Sequence, residues 1–239
     1  MAASFEPWSA PARLGLARAT LVRSQSGDTP PDLAREAVQQ AKLAVRFDPA
    51  LSGGYGTLAQ TLLNLPDGPS IAEAREAVGA AENAVAYQKY RPVYYPTLGE
   101  AYVTLALRTD DDAERSGVLA KLTDLPAIIA NRQAEVQPYH RLFAYPQVSM
   151  VPKVTLRIGQ GYVLLGDFSS AEGYLLQAAK DRALLIPSEL WLYRLYQLTG
   201  NKAEMDKLKS KPWILFADQN PEFQRLRELT TKYEKKGGK

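Results

Sequence analysis

Alanines set the rhythm of the first third of the chain. Ala37, Ala41 and Ala44, and again Ala77, Ala81 and Ala84, recur at spacings of four and three, the interval that places side chains on one face of an α-helix. Gln39, Gln40 and Lys42, and in the second segment Glu82 and Asn83, fall between them. Each segment therefore predicts an amphipathic helix whose apolar stripe is built from small residues, which lets a neighbouring helix approach closely.

The two segments are copies of each other. Residues 34–38 and 74–78 both read AREAV, an offset of 40, and the agreement continues through Ala41 with Ala81, Ala44-Val45 with Ala84-Val85, Tyr55 with Tyr95 and Leu58 with Leu98. A second period of 34 relates Tyr162 to Tyr196 and Gly166 to Gly200. Both periods fit one helical hairpin, with the extra residues of the longer one in the turns Ser24 to Pro31 and Asn64 to Pro69, where Gly, Pro, Ser and Asp cluster. Helix starts are marked as well. Ser70 with Glu73 and Ser169 with Glu172 fit a capping box, and Thr29-Pro30 and Asn220-Pro221 place a capping oxygen before a first-turn proline. Thr109 to Asp112 predicts the start of a helix over 112–122, and Leu125-Pro126 the start of another running to about Val136. The proline-rich stretch from Gln137 to Pro152 breaks the periodicity and predicts a bend.

These units resemble the tetratricopeptide repeat, a 34-residue helix-turn-helix with an aromatic, Leu-Gly and Tyr on its first helix and Ala, Phe or a small residue, Ala and Pro on its second. In residues 152–185 the matching positions are Ile158-Gly159, Tyr162, Gly166, Phe168, Ala171, Leu175 and Ala178, with Thr155 in the aromatic place and the closing proline displaced to Pro187. Tyr95, Leu98-Gly99 and Tyr102 form a second first helix, and Ala37, Ala41, Ala44 and Pro49 a complete second helix. The resemblance implies an all-α fold, a right-handed α-solenoid of about five hairpins. Its expected parts are N-terminal hairpins over 1–104, an irregular helical insert over 105–151, and C-terminal hairpins with a capping helix over 152–239. In the cap, Phe223, Leu226 and Leu229 are expected to cover the apolar face that a last hairpin leaves exposed. Tyr95, Tyr102, Tyr162 and Tyr196 are expected in the core, whereas Tyr90 and Tyr94 lie off the repeat pattern.

Composition narrows the functions. The 239 residues are 46% hydrophobic and 23% charged, and cysteine is absent. That excludes a disulfide scaffold, a zinc finger and any thiol chemistry. Net charge is +3, and residues 200–239 carry ten Lys and Arg against six Asp and Glu, so the basic character is a C-terminal feature. Lys202, Lys207, Lys209, Lys211, Arg225, Arg227 and Lys232 are interspersed with Glu204, Asp206, Glu222 and Glu228, which argues against a nucleic-acid partner. The opening Met1 to Trp8 lacks the basic and apolar segments of a secretory signal, which leaves the compartment open between the cytoplasm and export after removal of a signal.

No catalytic pattern stands out. The single histidine, His140, lies in the proline-rich insert, and one histidine does not complete a metal site. Gly159-Gln-Gly161 has Leu164 where a dinucleotide loop needs its third glycine. Asp110 to Asp112 lacks the glycine of a calcium loop. The expectation is a non-enzymatic module without cofactor or metal, a scaffold or adaptor holding a peptide or helix of another protein. By position, the resemblance places Gln60, Glu100, Lys153, Arg157, Gln160, Trp191 and Arg194 on a partner-binding groove. Lys153 and Arg157 stand where half of a carboxylate clamp occurs, while Gly56 and Pro96 stand where the other half needs a lysine. Two further readings are a structural subunit that meets a membrane only through a larger assembly, and an enzyme or sugar-binding array using His140 and nearby tyrosines.

Overall fold

The computed structural model describes residues 9–24, 31–139 and 151–234, and every regular element among them is helical. In chain order the α-helices are α1 (Ala10–Ser24), α2 (Pro31–Phe47), α3 (Ser52–Leu63), α4 (Ile71–Tyr87), α5 (Tyr94–Arg108), α6 (Asp112–Val136), α7 (Pro152–Leu165), α8 (Phe168–Ala178), α9 (Leu185–Thr199), α10 (Lys202–Lys209), α11 (Pro212–Leu215) and α12 (Pro221–Glu234). Short 3-10 turns cover Gln137–Tyr139 and Ala217–Gln219. Two compact units share these elements. The first takes in the described residues up to Arg108 and those from Ala130 to Tyr139, and the second takes in Thr109–Ile129 and those from residue 151 onward.

In the first unit each helix packs on the next, from α1 to α5, and the first helices also touch one another, α1 with α3 and α3 with α5. This is the pattern of stacked hairpins. The AREAV copies lie on α2 and α4, and their alanine stripes are fully enclosed: Ala37, Ala41, Ala44, Ala77, Ala81 and Ala84 are all at or below 1% exposed. The capping box before α4 is complete. Ser70 Oγ accepts from the Glu73 backbone N–H at 3.3 Å, and the Ser70 backbone N–H donates to Glu73 Oε2 at 2.8 Å. Tyr95 and Tyr102 are buried as expected.

The second unit repeats the scheme with α7 on α8, α8 on α9 and α9 on α10, while α7 and α9 touch as first helices. Gly159 marks the α7 to α8 contact, since a Cβ there would lie 2.9 Å from Leu175 Cγ and 3.1 Å from the Leu175 backbone nitrogen. Gly166 and Gly200, the pair 34 residues apart, both end a first helix in the left-handed conformation, with φ of 81° and 69°. Glycine adopts that conformation without a Cβ penalty. Tyr196 is buried, whereas Tyr162 is only half-buried and stacks on Tyr174 with 5.6 Å between ring centroids.

Three local expectations change. The helices expected over 112–122 and from Pro126 are one helix, α6, with Pro126 in its interior. A proline there removes one backbone hydrogen bond and crowds the preceding turn, at a cost of about 3 kcal/mol. Leu119, Leu122, Leu125 and Ile129 are all at most 2% exposed, and each buried aliphatic side chain is worth about 1.5–3 kcal/mol, so packing on both sides of the proline outweighs it. Second, Ser169 does not cap α8. Asp167 does, its side chain accepting from Ser170 N–H at 3.1 Å. Third, the buried face of α12 is Phe223, Leu226 and Thr230, with Leu229 only half-buried. Asn220 caps this helix as expected, accepting from Phe223 N–H at 3.1 Å. The start of α6 is capped from the expected stretch Thr109 to Asp112, where the Asp111 carboxylate accepts from Ala113 N–H at 2.8 Å and Glu114 N–H at 3.3 Å. The Thr29-Pro30 cap and the proline-rich bend with His140 and Tyr145 lie outside the described residues.

Candidate partner-binding site

In the first unit polar side chains link the first helices to one another. Arg18 Nε on α1 donates to Thr57 Oγ1 on α3 at 3.1 Å, and Gln60 Nε2 on α3 donates to Thr97 Oγ1 on α5 at 3.4 Å. Thr57 with Thr97 and Gln60 with Glu100 repeat at the offset of 40, so the duplication places like side chains on neighbouring helices. Both threonines are buried, Gln60 is exposed and Glu100 is half-buried. Gly56 lets α5 close in, since a Cβ there would stand 2.7 Å from the Tyr94 ring. That explains why no lysine occupies the position.

The equivalent face of the second unit is built differently. Lys153 is exposed, and Arg157 is half-buried with Nη1 donating to Gln160 Oε1 at 3.0 Å. Gln160 is only 1% exposed and Trp191 only 4%. Both are therefore interior side chains of this unit rather than groove wall. Arg194 is 2% exposed, and its guanidinium is fully engaged. Nε donates to Thr230 Oγ1 at 2.8 Å, Nη1 to Gln197 Oε1 at 3.2 Å and Nη2 to the Arg227 carbonyl at 3.3 Å, and Nη2 pairs with Glu234 Oε1 at 2.7 Å. Burial lowers the Arg194 pKa, and pairing with Glu234 opposes the shift. Arg194, expected on the groove, is thus an interior residue, because α12 lies over it.

Two hydrogen-bonded pairs were not foreseen. Tyr102 and Tyr196 each donate a hydroxyl to a carboxylate of the preceding helix, Glu82 and Glu172, at 2.9 Å. Glu172 was expected in a capping box, and Glu82 has Lys42 at the offset of 40, so no repeat signal marked the acids. In the first unit Glu135 gathers three donors, Tyr90 Oη at 2.8 Å, Lys89 Nζ at 3.2 Å and Arg132 Nη1 at 2.6 Å. The Tyr90 and Lys89 hydrogen bonds hold its carboxyl below the usual range. Tyr90 is thus tied to the end of α6, while Tyr94 sits against Gly56.

The basic residues of the C-terminal region do not form a continuous stripe. Lys207 pairs with Glu204 at 2.5 Å, Lys209 with Asp206 at 2.9 Å, Arg225 with Asp110 at 2.6 Å and Arg227 with Asp218 at 2.5 Å. No helix among the described residues is long and apolar enough to cross a membrane.

No protein-family model matches the chain, and no curated protein matches it in sequence. Among solved structures it is similar to TTC0263, a thermophilic TPR protein of Thermus thermophilus, with 21% identity, a TM-score of 0.57, and coverage of 94% of this chain and 98% of that one. A structure from a functional characterization of Pseudomonas aeruginosa pilF aligns over 93% of this chain and 97% of that one at 17% identity, with a TM-score of 0.31. The first likeness is one of fold. The chain has the all-α, helical-repeat fold of a tetratricopeptide repeat protein.

Proposed function

We propose that this protein is a non-catalytic interaction module, a scaffold or adaptor that holds a peptide segment of another protein against its first helices. The observation that carries this reading is the duplicated polar row Thr57, Gln60, Thr97 and Glu100, in which buried threonines support side chains that reach solvent. Such side chains suit the backbone of an extended peptide, which presents N–H and C=O groups at regular intervals. On the second unit, exposed Lys153 and half-buried Arg157 supply positive charge for an acidic or carboxy-terminal group. Gln160 supports Arg157 from beneath, whereas Trp191 and Arg194 are buried and are not part of this surface. The reading involves no cofactor.

A pull-down from the native source, followed by mass spectrometry, identifies the partner. Two variants, Gln60→Ala with Glu100→Ala and Lys153→Ala with Arg157→Ala, are then titrated against it. Each is expected to weaken binding at least tenfold, and parental affinity in both would overturn the proposal.

A second reading, as a structural subunit of a larger assembly, is favoured by Leu215 and Phe216. These adjacent apolar residues are 70% and 60% exposed at the end of α11. If they are the contact, Leu215→Ser with Phe216→Ser releases the protein from the assembly while the first pair of variants does not.

A further inference from the structure

The second helices of the first unit each end on an aromatic residue. α2 closes on Phe47 and α4 on Tyr87, at the offset of 40 that relates the AREAV copies. α8, the second helix of the other unit, closes on Ala178 instead. Burial would stabilise a large apolar ring, yet Phe47 is 45% and Tyr87 52% exposed. The Tyr87 ring is nonetheless held in place, stacking on Tyr55 of α3 with 5.6 Å between centroids and 18° between planes.

Each ring has an arginine close to it in the chain. Arg46 precedes Phe47, and Arg91 follows Tyr87 in a turn where its backbone N–H donates to the Gln88 carbonyl at 3.0 Å. Both arginines are exposed, and among the described residues neither guanidinium has an ion-pair or hydrogen-bond partner. Cations further back on α2 are paired, Arg35 with Glu73 at 3.2 Å and Lys42 with Glu76 at 2.7 Å. These two bridges follow the same order along α2 and α4, so the helices run the same way and both aromatic ends lie on one edge of the unit.

An exposed aromatic plane beside a cation that lacks a counterion, repeated from one hairpin to the next, fits a partner with flat apolar groups and regularly spaced anions. Proline rings dock on exposed aromatic side chains, and a polyproline II segment advances roughly 9 Å in each turn of three residues. Packed helices lie about 8–10 Å apart, so successive turns of such a segment step from one helix end to the next. Single-stranded nucleic acid also offers planes and anions. Asp48 beside Phe47, however, and Glu135, bonded to Lys89 and Tyr90 in the turn after Tyr87, put negative charge along the same edge. A continuous phosphate backbone is repelled there, whereas carboxylates one turn apart reach the arginines and leave the acids alone.

We infer that the edge formed by the ends of α2 and α4 is a docking surface for an extended acidic segment of a partner protein, its prolines lying on Phe47 and Tyr87 and its carboxylates on Arg46 and Arg91. Arginine takes a carboxylate through two parallel hydrogen bonds. The surface is made of second-helix ends, not of the Thr57 to Glu100 row, so the inference does not rest on the peptide-binding proposal.

The probe is a fluorescein-labelled peptide of four Pro-Pro-Glu repeats, titrated against the full chain by anisotropy at low salt. Saturable binding is expected, and Phe47→Ser with Tyr87→Ser is expected to weaken it at least tenfold. Arg46→Glu with Arg91→Glu should do the same, and that chain should bind a Pro-Pro-Lys peptide at least tenfold more tightly than the parent does. All four side chains are exposed, so the circular dichroism of these variants should match the parent's. Gln60→Ala with Glu100→Ala should leave the probe's affinity unchanged, which separates failure here from failure of the first-helix site. Absence of saturable binding by the parent would overturn the inference, as would equal binding of the Pro-Pro-Glu and Pro-Pro-Lys peptides. Tighter binding of a single-stranded oligothymidylate than of the probe would assign the edge to nucleic acid and sink the idea.

Discussion

The Tyr102 hydroxyl donates to the Glu82 carboxylate at 2.9 Å, joining the first helix of one hairpin to the second helix of the hairpin before it. Tyr196 and Glu172 make the same bond in the second unit, again at 2.9 Å. The two tyrosines thus combine an apolar ring in the core with a polar tip that ties adjacent hairpins. Burial, reinforced by the acceptor carboxylate, raises both phenol pKa values above the ordinary 10.0.

Tyr102→Phe and Tyr196→Phe are therefore expected to lower stability by about 1.5 kcal/mol each at neutral pH, the lower end for a hydrogen bond to a charged group. A raised pKa means that this stability is complete below the unfolded phenol value and is lost as pH rises through the folded one. Urea denaturation at pH 7 and pH 11 checks both points. The phenylalanine variants should lose less on going to alkali than the parent does, and an equal alkaline loss would contradict the assignment.

Glycines on helices should divide by sign. A Cβ at Gly159 meets Leu175 at 2.9 Å, whereas Gly79 and Gly173 have nothing within 4 Å of theirs. Gly159→Leu, and Ala81→Leu at an enclosed alanine, are expected to cost roughly 1–3 kcal/mol by overpacking. Gly79→Ala and Gly173→Ala are expected to gain about 0.5–1 kcal/mol, because alanine loses less backbone freedom in a helix. Chemical denaturation midpoints measure all four, and a stabilised Gly159 variant would mean that the α7 to α8 contact is misplaced.

Removing Arg194 takes away the centre of the α12 clasp. Arg194→Ala is expected to destabilise by about 2 kcal/mol, reflecting lost charge-assisted bonds to partners of which Glu234 is half in water. Arg194→Lys should not restore the loss, since a single ammonium cannot reproduce the planar fork that reaches Thr230, Gln197 and Glu234. Thermal melts of the two variants decide this, and full recovery with lysine would show that charge alone matters.

The Ser70 capping box carries a pH dependence of opposite sign. Hydrogen bonds from the Ser70 backbone and hydroxyl hold the Glu73 carboxyl below its ordinary 4.5, and Arg35 adds to the shift. A depressed pKa contributes stability above the unfolded value that disappears as pH falls through the folded one. Ser70→Ala is expected to cost about 1 kcal/mol at pH 7. The difference from the parent should shrink at pH 2.5, as followed by urea unfolding, and a gap that stays constant with pH would exclude the carboxylate from the cap.

What the sequence determined by itself were features that act over a few residues or repeat at a fixed interval. The alanine stripes of α2 and α4, the C-caps at Gly166 and Gly200 and the N-caps at Ser70 and Asn220 are all local, because helix periodicity and orphan end groups are satisfied within one or two turns. Tertiary structure alone decided that α6 runs through Pro126, since only the burial of Leu122 on one side and Ile129 on the other outweighs the lost hydrogen bond. It also decided the fate of Trp191 and Arg194. The resemblance leads one to expect both on a groove, but whether such a position faces solvent depends on what the rest of the chain lays over it. Here α12 returns from more than twenty residues downstream to enclose Arg194, a contact between distant segments that no spacing within either segment encodes.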